Sequence, residues 1–172
     1  SLTAGASHCA ACALGYSCSH DPNFPLLAMT ICDEGTYQDE MGQTDCKTCP
    51  TGHHCAAGSI TGAYCPAGKY QGSTGQATCT TCPTGQISAD GASDCGTTCV
   101  EGTYSDDPPT QCITCEVGRY QDQTAQTSCK ACPGGRYRAT TGATADTDCL
   151  ACPAGQHQGS NGSEDCDTCA AN

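Results

Sequence analysis

No stretch of this chain places apolar residues at the three-to-four spacing of a helix. What recurs instead is a spacing of cysteine, glycine and tyrosine. Seven stretches can be laid under one another: CDEGTYQDEMGQTDCKTC from Cys32, CPAGKYQGSTGQATCTTC from Cys65, CPTGQISADGASDCGTTC from Cys82, CVEGTYSDDPPTQCITC from Cys99, CEVGRYQDQTAQTSCKAC from Cys115, CPGGRYRATTGATADTDCLAC from Cys132 and CPAGQHQGSNGSEDCDTC from Cys152. Each has glycine at the third place after its first cysteine: Gly35, Gly68, Gly85, Gly102, Gly118, Gly135 and Gly155. Five of the seven tyrosines, Tyr37, Tyr70, Tyr104, Tyr120 and Tyr137, follow two places later. The period is about 17 residues. Cys-x-x-Gly reads as a turn with glycine in a conformation that other residues resist, followed by a short extended segment whose tyrosine ring is free to lie across a neighbouring disulfide. A polar tip reverses the chain and a second extended segment leads to the next cysteine. Each unit is predicted to be a small β-hairpin.

Two longer variants lie in the N-terminal part. Cys9, Cys12, Cys18 and Cys32 follow the same order of spacings as Cys46, Cys49, Cys55 and Cys65, except for the last gap, and Gly15 and Gly52 keep the third place after Cys12 and Cys49. The chain therefore divides into a super-repeat of two long units over 9–81, a run of short units over 82–169, and flanking ends at 1–8 and 170–172. One stretch departs from the polar background. SHDPNFPLLAMTI, between Cys18 and Cys32, gathers Phe24, Leu26, Leu27, Met29 and Ile31. It is either a loop folded over its own hairpins or a contact patch for another chain or repeat.

Composition decides what holds such units together. Leu, Ile, Val and Phe are few, there is no Trp, and the net charge is −12, a balance that without cross-links predicts disorder. Cysteine supplies the substitute: 20 of 172 residues, a density typical of a disulfide scaffold in an oxidising compartment. Each bridge closing about 15 residues contributes roughly 3 kcal/mol. No stretch is long and apolar enough to span a bilayer, and the chain begins Ser-Leu-Thr, as in an exported product whose leader is removed or a piece cut from something larger. With Lys and Arg totalling six, the basic footprint that neutralises phosphates is missing, which argues against a nucleic-acid partner.

The unit running from Cys-Pro-x-Gly-x-Tyr to Cys-x-x-Cys resembles the ephrin-receptor-like cysteine-rich repeat, and is similar to the first half of the cysteine-rich modules of tumour necrosis factor receptors. The resemblance extends from Cys9 to Cys169. It implies a small disulfide-rich β fold, an elongated tandem array of short hairpins with little or no helix, in an extracellular or cell-surface protein. Family members serve as spacer, receptor stalk, adhesin and coat material alike. Pairing each unit's first cysteine with the first of the following Cys-x-x-Cys joins Cys32 to Cys46, Cys65 to Cys79, Cys82 to Cys95, Cys99 to Cys112, Cys115 to Cys129, Cys132 to Cys149 and Cys152 to Cys166. The longer variants then pair Cys12 with Cys18 and Cys49 with Cys55. Sequence does not fix connectivity, and an interleaved arrangement is the main rival. Cys9 and Cys169 are left over. They form either an inter-repeat or intersubunit disulfide, head to tail between chains, or bonds to flanking units of a longer array.

Other chemistry is weighed against that frame. Cys112-x-x-Cys115 with Cys129-x-x-Cys132 is close to a zinc-ribbon spacing, but zinc modules do not usually share one Cys-x-x-Cys between consecutive units, and a redox role lacks its strand-to-helix setting. No metal or other cofactor is expected. His53-His54-Cys55 places a base beside a thiol, but Cys55 fits a disulfide better and no orienting carboxylate or amide recurs, so the chain is not expected to be an enzyme. The carboxylates Asp33, Glu34, Asp39 and Glu40, and the pair Asp106 and Asp107, are read as a solvated acidic face before a weak calcium site. Asn161-Gly162-Ser163 matches the N-glycosylation acceptor in a loop tip. The expected function is an extracellular structural repeat protein, a glycosylated spacer, coat or cell-surface filament subunit that self-associates or meets neighbouring repeats without inserting in a membrane. The alternative is a ligand-binding or adhesive receptor ectodomain.

Overall fold

In a computed structural model that describes residues 12–19 and 28–170, eighteen short strands pair in chain order into nine antiparallel two-stranded hairpins. The first joins β1 (Tyr16–Ser19) to β2 (Ala28–Ile31) and the last joins β17 (Gln156–His157) to β18 (Asp167–Thr168). The sole helical element among the described residues is a 3₁₀ turn at Asp146–Asp148. We number the hairpins 1 to 9 by their first cysteines: Cys12, Cys32, Cys49, Cys65, Cys82, Cys99, Cys115, Cys132 and Cys152. The small disulfide-rich β fold of tandem hairpins is the architecture that the repeat implies.

Each hairpin opens on the same turn. In hairpin 2 the Thr36 N–H donates to the Asp33 carbonyl across Gly35, whose φ of +81° is the one that a glycine admits without strain at this place. The strands that follow are only two to four residues long, so ladder hydrogen bonds alone leave each hairpin marginal. Disulfides supply the difference. Hairpins 2, 4, 5, 6, 7, 8 and 9 tie their first cysteine to the return strand, 13 to 17 residues on, as in Cys32–Cys46, Cys65–Cys79, Cys82–Cys95, Cys99–Cys112, Cys115–Cys129, Cys132–Cys149 and Cys152–Cys166. Hairpins 1 and 3 instead close a short loop, Cys12–Cys18 and Cys49–Cys55, six residues apart.

Sulfur takes the place of a hydrocarbon core. Among the described residues the buried apolar set consists of cysteines and Ala143, and Cys49, Cys55, Cys65, Cys115 and Cys132 have no exposed surface. The chain divides into two compact units. One holds hairpins 1 to 4 together with residues 89–94, the tip of hairpin 5, and the other holds the strands of hairpin 5 with hairpins 6 to 9.

Candidate functional site: the junction between successive hairpins

The sixth residue after each first cysteine, here called position 6, is where one hairpin meets the next. It is Cys18, Gln38, Cys55, Gln71, Ser88, Ser105, Gln121, Arg138 and Gln158 in hairpins 1 to 9. Those in hairpins 1 to 7 are buried, which is unusual for glutamine and goes with complete hydrogen bonding. The Gln38 amide donates from Nε2 to the Asp45 carbonyl at 2.6 Å and accepts on Oε1 from the Glu40 N–H at 3.0 Å. Gln71 does the same with Thr78 and Ser73, Gln121 with Ser128 and Gln123, and Gln158 with Asp165 and Ser160. One side chain thereby clasps both limbs of the hairpin loop.

The backbone at position 6 faces the other way, toward the neighbouring hairpins on both sides. Its carbonyl accepts from the turn glycine of the preceding hairpin: Gly15 N–H to Gln38, Gly35 to Cys55, Gly52 to Gln71, Gly102 to Gln121, Gly118 to Arg138 and Gly135 to Gln158, at 2.7 to 2.8 Å. Its N–H donates to the tip of the following hairpin, as from Gln38 to Ser59, Gln71 to Ala92, Gln121 to Ala143 and Arg138 to Ser163. A third bond runs from seven of the tips back to the first cysteine of the hairpin before: Gly42 to Cys12, Gly58 to Cys32, Gly75 to Cys49, Gly91 to Cys65, Ala125 to Cys99, Gly142 to Cys115 and Gly162 to Cys132. These bonds involve no side chain.

Contacts also reach past the immediate neighbour, which differs from an array whose units touch only the next in line. The turn glycine of one hairpin packs on the tip two hairpins further on: Gly15 on Gly58, Gly35 on Gly75, Gly52 on Gly91, Gly85 on Ala125, Gly102 on Gly142 and Gly118 on Gly162. A Cβ on Gly35 would overlap the Gly75 carbonyl, so the close approach, as well as the turn, requires glycine there. The same tips lie against the residue that precedes the next first cysteine, the Thr48 methyl at Gly75 and the Thr114 methyl at Gly142. The tip residue lies nine or ten places after the first cysteine of its hairpin, and this lets one geometry repeat.

The remaining residues singled out in the sequence fall around this junction. Cys55 is in a disulfide and offers no thiol, while the neighbouring His53 stacks on Tyr64 at 4.5 Å and its Nδ1 sits 2.9 Å from the Thr51 carbonyl. Lys47 bridges Asp39 and Glu40, and Lys130 pairs with Asp122. The ammonium groups hold the Asp39 and Asp122 carboxyls below the usual range. Asp106 is lowered too, because its carboxylate accepts from the N–H of Gln111 and from the N–H and hydroxyl of Thr110. Asp33, Glu34 and Asp107 stand apart from any such pairing, and among the described residues no group of three His, Cys, Asp or Glu side chains is placed to hold a metal. Two equivalent clefts open beside the junction, one of about 350 Å³ with His54 and Lys69 on its walls and one of about 180 Å³ with Tyr104 and Arg119.

Asn161 lies exposed at the tip of hairpin 9, where its Oδ1 accepts from the Gly134 N–H at 2.8 Å. Asp90 makes the equivalent bond to Ala67 in an earlier hairpin. Met29 and Ile31 are 53% and 45% exposed, while Phe24, Leu26 and Leu27 lie outside the described residues, as does Cys9. Cys169 carries an exposed free thiol 3.9 Å from His157 Nδ1, and its N–H donates to the Gly155 carbonyl, as those of Cys32, Cys49, Cys65, Cys99, Cys115, Cys132 and Cys152 do to the turn glycine before them. Position 6 escaped the sequence reading, although glutamine six places after Cys32, Cys65, Cys115 and Cys152 was a visible signal.

A family described as tyrosine-protein kinase ephrin type A/B receptor-like matches the chain over residues 30–60 and 102–149. The first segment covers hairpin 2 and much of hairpin 3, and the second runs through hairpins 6 to 8. No curated protein matches the chain. Among the described residues no helix is long and apolar enough to cross a membrane.

Proposed function

We propose, from the likeness to the ephrin-receptor-like cysteine-rich repeat family, that this chain is part of an extracellular protein and that its role is structural, as a spacer, coat or subunit of a cell-surface filament. The observation that carries this reading is the junction itself. Its recurring hydrogen bonds are backbone to backbone, its turn packing needs glycine, and its core is disulfide sulfur, so the repeated geometry serves to join hairpin to hairpin. Nine disulfides fit an oxidising compartment. The family is a non-catalytic extracellular module, in keeping with a chain that does no chemistry of its own. Negative-stain microscopy of the purified protein tests the structural role: filaments or regular assemblies form with no partner added.

A receptor ectodomain is the second reading, favoured by the receptor named in the family's description and by the repeated clefts beside Arg119 and Lys69. In that case the protein stays monomeric until a ligand is supplied. Under either reading Asn161 carries an N-linked glycan in a eukaryotic secretory route, attached through Nδ2 while Oδ1 keeps its bond to Gly134. An unmodified peptide covering Asn161 from native material refutes this part.

A further inference from the structure

Asn161 and Gly162 form the only Asn-Gly pair in the sequence, and such a pair carries a chemistry of its own. The Gly162 nitrogen belongs to a residue with no side chain to hinder it, and it is the natural nucleophile for the Asn161 carboxamide carbon. In that step a bond forms between this nitrogen and that carbon, and the bond from the carbon to Nδ2 breaks. Nδ2 leaves as ammonia, taking the proton that the Gly162 nitrogen gives up. Water then opens the five-membered ring at one carbonyl or the other and leaves aspartate or isoaspartate. Nothing but water is consumed.

The junction holds both reacting groups off this path. A deprotonated nitrogen attacks along the direction in which its N–H pointed, and the Gly162 N–H points at the Cys132 carbonyl, 2.8 Å away. Asn161 Oδ1 accepts from the Gly134 N–H at 2.8 Å, which fixes the carboxamide against hairpin 8. The tip is seated further by the Gly162 carbonyl on Gly118 and by the Arg138 N–H donating to the Ser163 carbonyl. Hairpin 5 shows how a product of the reaction would fit. There Asp90-Gly91 takes the same place, with Asp90 Oδ1 on the Ala67 N–H and the Gly91 N–H on the Cys65 carbonyl, both at 2.7 Å. The slot therefore receives aspartate with the bonds that it gives asparagine. Isoaspartate is different. It routes the main chain through its side-chain carbons, adds one atom before Gly162, and shifts that residue out of register with Cys132 and Gly118.

We propose that Asn161-Gly162 is a latent self-modification site, kept unreacted while the tip of hairpin 9 is seated and converted when the tip lifts. Lifting leaves a permanent mark: aspartate seats again with one more negative charge, whereas isoaspartate keeps the tip off its neighbours. The site is the same whether the chain is spacer or receptor, and a glycan on Nδ2 blocks it by retaining the nitrogen that must leave.

The test follows the mass of the peptide covering Asn161 in the full chain, made without glycans and incubated at mildly alkaline pH. Conversion is expected to be at least about tenfold slower in the native chain than in the reduced and alkylated one, the size that two lost hydrogen bonds imply. Gly118→Ala, whose Cβ overlaps the Gly162 carbonyl, should lift the tip and bring the rate toward that of the reduced chain. Asn161→Asp should keep its thermal transition unchanged, because Asp90 already occupies the equivalent place. Equal rates in the native and reduced chains overturn the proposal, as does a folded Gly118→Ala chain that converts no faster than the natural one. A lowered transition in Asn161→Asp overturns the fit of the product.

Discussion

Hairpin 3, which begins at Cys49, and hairpin 4, which begins at Cys65, share the same turn, a glycine tip and the same junction bonds, but differ at position 6. In hairpin 3 that position is Cys55, bonded to the hairpin's own first cysteine. The return strand, ending at Tyr64, then has no covalent tie. In hairpin 4 the position is Gln71, whose amide clasps Ser73 and Thr78, and the first cysteine is free to reach Cys79 on the return strand. The lesson is that a buried slot with fixed backbone partners can be closed by a covalent bond or by hydrogen bonds, and the choice decides where the remaining disulfide goes. Hairpins 6 and 8 add a third solution. Ser105 and Arg138 stand at position 6, and a carboxylate holds the loop: Asp106 on Thr110 and Gln111, and Asp148 on Thr144 and Ala145.

The comparison breaks most completely on reduction. If the glutamine clasp held a hairpin unaided, hairpins 2, 4 and 7 would survive loss of their disulfides. Two hydrogen bonds at about 1 kcal/mol each do not offset the ordering of some 17 residues. Full reduction is therefore expected to abolish the cooperative thermal transition in calorimetry, and persistent amide protection in those hairpins would show the clasp to be stronger than the bridge.

Next in size is the element the two hairpins share. Gly52→Ala puts a Cβ into the Gly91 carbonyl and forces alanine to φ +73°, so we expect a loss above about 3 kcal/mol. Gly135→Ala bears the φ strain alone, about 1 kcal/mol, because its hollow is open. Equal melting temperatures for the two variants would refute the second-neighbour packing.

Removing the short bridge sharpens the contrast directly. Cys49→Ala with Cys55→Ala should cost about 2 kcal/mol, the value for so short a loop. Pairing Cys49→Ala with Cys55→Gln should recover about 1 kcal/mol of that if the slot accepts a glutamine clasp. Gln71→Leu is the reverse experiment. It leaves the Ser73 N–H and the Thr78 carbonyl unpartnered, and about 2 kcal/mol is expected, read as faster exchange at Ser73.

Acid gives the smallest effect and separates the third solution from the first two. The Asp106 and Asp148 carboxyls are held below their ordinary value of 3.8 by backbone N–H donors. A depressed folded value means a contribution present above the unfolded value and lost as pH falls through the folded one. Amide protection in the loops of hairpins 6 and 8 should therefore decline below about pH 4, while the uncharged clasps of hairpins 4 and 9 hold. Loss of protection at Ser73 over the same range would contradict this assignment.

The hairpin architecture was legible because its determinants are local. A glycine three places after a cysteine sets the turn, and the distance to the next cysteine limits the loop. The junction was less legible. Gln38, Gln71, Gln121 and Gln158 recur as regularly as the glycines, but a polar residue after tyrosine reads as loop surface until the carbonyls that it satisfies are placed. The tip glycines Gly75, Gly91 and Gly142 look like ordinary turn residues, and nothing in their spacing reveals that each is pressed on a turn two units earlier. That pairing depends on how successive hairpins stack, which no single unit encodes. At Phe24, Leu26 and Leu27 the apolar pattern stands on its own, since those residues lie outside the described part of the chain.

A junction made of main-chain groups and glycine asks very little of the gene. A segment of about 17 codons that supplies its pair of cysteines, a turn glycine, a small tip residue and a residue that closes position 6, all at the right intervals, can seat on its neighbours with wide freedom at its other side chains. Whole units can then be copied, lost or exchanged by recombination without re-matching surfaces, and point substitutions on the outward faces are nearly neutral. Hairpin 6, with a proline-containing tip, and hairpin 8, with a longer loop and a 3₁₀ turn, look like products of that tolerance. Natural selection can tune the length of such a chain by counting units, and its surface charge by editing tips, as two separate adjustments.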